Sequence, residues 1–148
     1  MSTRGEAEKL RSVNVKMTDA MSDELTRKNP NRSKLVRVVL AAILKAHAEG
    51  QHDAFEAAVD AAQRSSARVQ KLTGTTGIAW RKVIVWIPER MHQEIVAEMR
   101  SLNLRPADFI RGAIIGFTGV DPTEGIIGDG RELWTSAVVD EGRETKEG

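Results

Sequence analysis

The chain has 148 residues, 41% of them hydrophobic and 29% charged, which suits one compact domain and leaves little room for a second. The absence of cysteine excludes a disulfide framework, a thiolate metal site and a cysteine nucleophile, and makes the reducing cytoplasm the expected setting. A net charge of +1 conceals an asymmetry: eight acids face three bases from Asp121 onward, whereas 19 bases and 13 acids precede it, a balance compatible with a polyanionic partner.

Residues 1–10 are polar and read as a flexible arm without the apolar centre of a signal peptide. No apolar run approaches the roughly 18 residues that span a bilayer, so no membrane association is expected. Arg11 to Met17 alternates Val13, Val15 and Met17 with Ser12, Asn14 and Lys16, the two-residue period of a strand with two unlike faces. Thr18 can cap a short helix, Asp19 suits the positive end of its dipole, and Met21 and Leu25 share one face. Lys28-Asn29-Pro30-Asn31 breaks it. The next helix, capped by Asn31 or Ser33, carries Leu35, Val36, Val38, Val39, Leu40, Ile43 and Leu44 around much of its circumference and is expected in the centre of a core.

Glu49-Gly50-Gln51 ends that helix, and Asp53 to Leu72 reads as an alanine-rich helix with Phe55, Ala58, Val59, Ala62 and Val69 on one side. Little apolar area makes it a surface connector. Thr73-Gly74-Thr75-Thr76-Gly77 turns the chain into a second strand, Trp80 to Ile87, in which Val83, Val85 and Ile87 alternate with Lys82, Ile84 and Trp86. A helix with Met91, Ile95, Val96, Met99 and Leu102 follows, about one turn longer than its counterpart. The last has Pro106 in its first turn, then Asp108, Phe109, Ile110, Ala113, Ile114 and Phe117, and ends near Gly119. Gly112 and Gly116 suit close helix packing. Residues 121–148 form an acidic tail, expected to be largely disordered, although Glu132 to Val139 could dock as a short element.

The order strand, helix, helix thus occurs twice, in units 11–48 and 80–120 joined by a helical connector at 49–79. One unit cannot bury its own strand; two can bury each other's. The carriers are Val13-Asn14-Val15-Lys16-Met17-Thr18 with Asn31-Arg32-Ser33-Lys34-Leu35-Val36-Arg37, and Val83-Ile84-Val85-Trp86-Ile87-Pro88 with Arg105-Pro106-Ala107-Asp108-Phe109-Ile110-Arg111. Over about half the chain this pattern resembles the ribbon-helix-helix (Arc/MetJ-like) DNA-binding proteins. The resemblance implies a mainly α fold with a short two-stranded antiparallel β-ribbon, two such units forming an intramolecular pseudo-dimer whose ribbon enters the major groove of double-stranded DNA. Tandem copies of this kind resemble accessory proteins of conjugative DNA transfer, which makes plasmid transfer or partition, or transcription regulation, the expected context.

Strand geometry points Val13, Val15, Met17, Val83, Val85 and Ile87 inward. The outward residues Ser12, Asn14, Lys16, Lys82, Ile84 and Trp86 are the candidate base contacts: Asn can pair with adenine, Lys can donate to guanine, and apolar groups can meet thymine methyls. The polar ones can equally be the solvated face of a half-buried sheet. Ile84 and Trp86 can alternatively be covered by the tail or a second chain. Asn31, Arg32, Ser33, Lys34 and Arg105, at the starts of the two second helices, are the candidate phosphate contacts, although ordinary capping also accounts for Asn31 and Asp108. Arg37 and Arg111, one turn further in, are expected to pair with acids.

His47, His52 and His92 are too scattered for a metal site and read as surface residues, and no cofactor motif is present, so the chain is not expected to be an enzyme. A dimer or cooperative pair on DNA is compatible with family habit. Two other classes stay open: an antitoxin-like or adaptor protein whose acidic tail, anchored by Trp134, binds a protein, and a helical scaffold with no role on nucleic acid.

Overall fold

The computed structural model describes residues 9–67, 70–71 and 77–123. The arm before Lys9, the turn expected at Thr73 to Thr76, the end of the connector helix at Leu72 and the tail from Glu124, with its proposed element at Glu132 to Val139, lie outside them. The architecture is mainly helical with one two-stranded antiparallel sheet.

Strand β1 (Leu10–Met17) and strand β2 (Arg81–Pro88) pair with each other. Thr18 Oγ1 accepts the Met21 N–H and opens α1 (Asp19–Lys28), which ends when the Asn29 N–H returns to the Leu25 carbonyl ahead of Pro30. Asn31 caps α2 (Arg32–Ala48) by accepting from the Lys34 N–H, and Gly50, in the left-handed region at φ 92°, turns the chain away. Helix α3 (Asp53–Arg64) follows. After β2 come α4 (Glu89–Arg100), two residues longer than α1, and α5 (Pro106–Thr118), which stops at left-handed Gly119.

The ribbon register carries more information than the pairing alone. Asn14 faces Ile84, Ser12 faces Trp86 and Lys16 faces Lys82. Asn14 and Ile84 are also 70 positions apart in sequence, the offset that superposes Val13, Val15 and Met17 on Val83, Val85 and Ile87. The strands therefore cross at equivalent positions. Contacts at the ribbon ends repeat by the same offset: Arg11 Nη1 lies 3.3 Å from Glu89 Oε2, and Arg81 Nη1 lies 2.7 Å from Asp19 Oδ1. These exposed pairs are worth about 0–1 kcal/mol each. Their value is as markers that each strand meets the first helix of the other half.

Beneath the ribbon, Val15, Met17, Val85 and Ile87 are fully buried with Met21, Leu25, Val36, Leu40, Ile95, Met99, Phe109, Ile110 and Ile114. Each such side chain removed from water contributes about 1.5–3 kcal/mol before entropy is counted. Helix α2 is less central than its composition implies. Val36, Leu40, Ile43 and Leu44 are buried, but Val38 is 58% exposed. A continuous apolar circumference does not force burial when neighbours cover only one side.

The connector departs furthest from expectation. Helix α3 is no surface strap: Phe55, Ala58, Val59, Ala61, Ala62 and Gln63 are buried, mostly against α5. Its small side chains let the two backbones approach, and the contact is closest at Gly112, where an added Cβ would lie 2.0 Å from the Ala58 carbonyl oxygen. A Cβ added at Gly116 would meet nothing within 4 Å, so of the two glycines only Gly112 is required by close helix packing. The expected helix to Leu72 also breaks at Arg64, where Ser65 Oγ donates to the Ala61 and Ala62 carbonyls. Helical residues resume at Ala67 and at Gln70–Lys71.

Two further ties close the structure. Arg64 donates to Asp60 and, through Nη1, to Asp121 Oδ2 at 2.6 Å and Thr123 Oγ1 at 2.9 Å, fixing the segment after α5 to the end of α3. At the α2–α3 corner the His47 ring stacks on Phe55 at 3.7 Å, and the His47 and His52 Nδ1 atoms are 2.7 Å apart. His47 is half-buried against the fold, and His52 is exposed, as a surface residue is expected to be.

Gly112→Ala is expected to cost about 2–3 kcal/mol, because the clash is with backbone and cannot be relieved by a rotamer change. Gly116→Ala is expected to be neutral or to gain up to about 1 kcal/mol from helix propensity. Urea unfolding of the two variants provides the comparison. The Asp121 carboxyl supplies a pH test. Burial opposes its charge, but hydrogen bonds from Thr123 and Arg64 outweigh that and hold its pKa below the ordinary carboxylate value. Its stabilisation is therefore present above about pH 4 and lost as pH falls through the lowered value. Melting curves of wild type and Asp121→Asn should differ at neutral pH and converge on acidification.

Candidate nucleic-acid interface

The period of two turns three residues of each strand away from the core, and pairing sets them opposite one another as Ser12/Trp86, Asn14/Ile84 and Lys16/Lys82. All six are exposed. Opposed side chains on one face of an antiparallel pair have Cβ atoms about 4.5–5.5 Å apart, and like charges so placed are destabilising. Lys16 and Lys82 occupy that arrangement, and neither forms an ion pair among the described residues. At the other end Ile84 is 56% and Trp86 47% exposed. The face thus runs from cationic to apolar, with Asn14 between.

A two-stranded ribbon leaves the outer edge of both strands without a ladder partner. At β2 the start of α2 supplies one: the Trp86 N–H donates to Ser33 Oγ at 3.0 Å, and Arg37 Nη1 donates to the Trp86 carbonyl at 3.0 Å. Ser33 accepts in this bond and keeps its own O–H to donate. Arg37 holds strand backbone, where an acidic partner was expected. Arg32 Nη1 donates to Ser22 Oγ at 2.6 Å and so ties α2 to α1, and Asn31 Oδ1 is engaged in capping. Of the four candidates on this flank, exposed Lys34 alone has no hydrogen bond or ion pair from its side chain among the described residues. The helix start itself does lie beside the ribbon at Trp86.

The opposite flank is built differently. Arg105 stands exposed before α5, with its backbone N–H donating to Asp108 Oδ2 at 3.0 Å, while Pro106 at the first helical position has no N–H to offer. Arg111, 4% exposed, is the buried fastener. It donates from Nη2 to Asp108 Oδ1 at 2.8 Å and to the Ser65 carbonyl, and from Nε to Ser65 Oγ at 2.9 Å. Its guanidinium carbon also lies 5.4 Å from the Trp80 ring centre. Trp80 Nε1 in turn donates to Gln70 Oε1, and Gln70 Nε2 to the Ser65 carbonyl. Arg111 pairs with an acid, as expected of it, and through this network docks the connector against α5.

The docking creates a cleft of about 600 Å³ beside the ribbon, whose walls include Asn14, Lys16, Lys82, Arg105, Lys71 and Trp80. It unites three of the outward ribbon residues with the one candidate phosphate contact of the second unit. Lys71 and Trp80 are additions that no local pattern reveals, since only the Arg111–Ser65–Gln70 chain of bonds brings them there. Ser12, Ile84 and Trp86 lie on the ribbon face outside the cleft, and Asn31, Arg32, Ser33 and Lys34 lie on the other flank.

Among the described residues no group of three or more His, Cys, Asp or Glu is placed to hold a metal ion, and no helix is long and apolar enough to cross a membrane. Replacing Lys82 by Gln should relieve the cross-strand repulsion and raise the stability of the free protein by roughly 0.2–1 kcal/mol at low ionic strength. Thermal melts at low and at high salt would show the gain shrinking as screening increases. No protein-family model matches the chain, and neither the curated proteins nor the solved structures contain a match to it.

Proposed function

We propose that the protein is a sequence-specific double-stranded DNA-binding protein of the ribbon-helix-helix kind, with both units in one chain as an intramolecular pseudo-dimer that inserts the β1–β2 ribbon into the major groove. The observation that carries this reading is the ribbon's outer face, where two lysines with no ion pair among the described residues stand directly opposed beside an exposed Asn, Ile and Trp. Such a face is costly in water and well suited to a groove lined by acceptors, thymine methyls and flanking phosphates. The register, symmetric under the 70-residue offset, supports the two-unit arrangement, and a helix start on each flank of the ribbon supports backbone contact on both sides.

In this reading Asn14, Lys16 and Lys82 supply hydrogen bonds to base edges, Ile84 and Trp86 supply apolar contact, and Ser12 lies at the ribbon's end. The protein works by occupying its site, with no covalent chemistry, either as a transcriptional regulator or as an accessory factor in a plasmid transfer or partition complex. Because the outward residues of β1 and β2 differ, the preferred site is asymmetric.

Selection from a random duplex pool followed by fluorescence anisotropy across salt concentrations tests the reading. Binding should weaken steeply with salt, and Asn14→Ala should lose about 1–3 kcal/mol on the selected site together with discrimination at one base pair. Wild-type affinity and site preference in both Asn14→Ala and Lys16→Ala would remove the ribbon from recognition.

A further inference from the structure

The cleft beside the ribbon carries more positive charge than base reading uses. Lys16 and Lys82 form one wall, and Arg105 and Lys71 belong to the others. None of these four cations forms an ion pair among the described residues, whereas Arg11, Arg27, Lys45, Arg64, Arg81 and Arg111 each have an acidic partner. The one carboxylate in the cleft wall, Asp108, has both oxygens occupied, Oδ2 by the Arg105 N–H and Oδ1 by Arg111. It offers the four cations little relief. Four uncompensated cations around one concave surface repel each other and focus a positive field into it.

The position of Lys71 is fixed by the fold. Gln70, its neighbour, is held by the Ser65 carbonyl on one side and Trp80 Nε1 on the other, and Ser65 is gripped by the buried Arg111. The connector is thereby pinned where its lysine meets the cleft. The same flank is where the helix start is poorest in anion donors, because Pro106 lacks an N–H and Asp108 places a negative charge in the first turn.

We infer that Lys71 and Arg105 together clamp the DNA phosphate backbone on the α5 flank, the connector lysine replacing the helix-start donors that Pro106 and Asp108 remove. This rests on the DNA-binding reading and adds to it a contact from the connector. The backbone grip is consequently unequal on the two sides of the ribbon: side-chain cations hold one strand, and the α2 start with Lys34 holds the other. A phosphate contact carries no base information, so the clamp sets affinity and register and leaves sequence preference to the ribbon.

The experiment compares Lys71→Ala, Lys71→Arg, Arg105→Ala and, as a distant control, Lys45→Ala on the selected duplex and on an unrelated one, by anisotropy over a salt series. Lys71→Ala and Arg105→Ala are each expected to weaken binding roughly 3- to 10-fold on both duplexes and to reduce the salt slope by about one, with Lys71→Arg restoring both. Lys45→Ala should match wild type. An unchanged affinity and slope in Lys71→Ala, alongside weakened binding in Lys16→Ala, would overturn the clamp and leave the ribbon reading intact. Absence of salt-dependent duplex binding by the wild-type chain would overturn both.

Discussion

Everything outside the core follows from the antiparallel pairing of β1 with β2. A lone two-stranded ribbon is marginal in water, and here it persists because Val15, Met17, Val85 and Ile87 are sealed beneath it by helices from both halves of the chain. That burial also locks the register. A slip of one strand by one residue would turn its buried apolar pair, Val15 and Met17 or Val85 and Ile87, toward solvent and its three outward residues into the core. The opposition of Lys16 to Lys82, unfavourable by itself, is therefore imposed by packing on the other side of the sheet. The molecule tolerates a local repulsion because the inward face leaves no alternative.

The helices are tuned to this constraint. Arg37 and Arg111, which occupy matching places in the two second helices, have taken different work: one satisfies the free edge of β2 at Trp86, the other fastens Ser65 and thus the connector. The first keeps a helix start against the ribbon, and the second opens a cleft next to it. Divergence at a matching position has thus produced two unlike flanks around a core that stays alike in both halves.

How far this was legible from residues alone depends on the range of the interaction. The strand alternation, the caps at Thr18 and Asn31, the break at Pro30 and the stop at Gly119 are local, and each is visible in a few consecutive residues. The inward and outward faces followed from the period and agree with the burial observed. Helix α3 hides its burial from a sequence reading because apolar area is a poor measure of it. Ala58, Ala61 and Ala62 gain contact by allowing backbones together at Gly112, a benefit that side-chain size does not register. The break at Ser65 and the positions of Lys71 and Trp80 depend on bonds spanning up to 46 positions in sequence, as between Ser65 and Arg111, and no window of neighbours contains them. Ser33 reads from sequence as a cap or phosphate contact and Arg37 as the partner of an acid; their engagement with the Trp86 backbone is visible only in the tertiary structure.

Placing both strands in one chain has a consequence of its own. In an assembly of separate subunits, a ribbon shared between partners dissolves on dilution, and its stability is inseparable from subunit concentration. Here ribbon formation is a step of folding, and the connector supplies the local concentration that would otherwise come from abundance. A few copies in a cell would each carry a finished ribbon, and a chemical change to one strand would alter one half of the surface while leaving the other untouched.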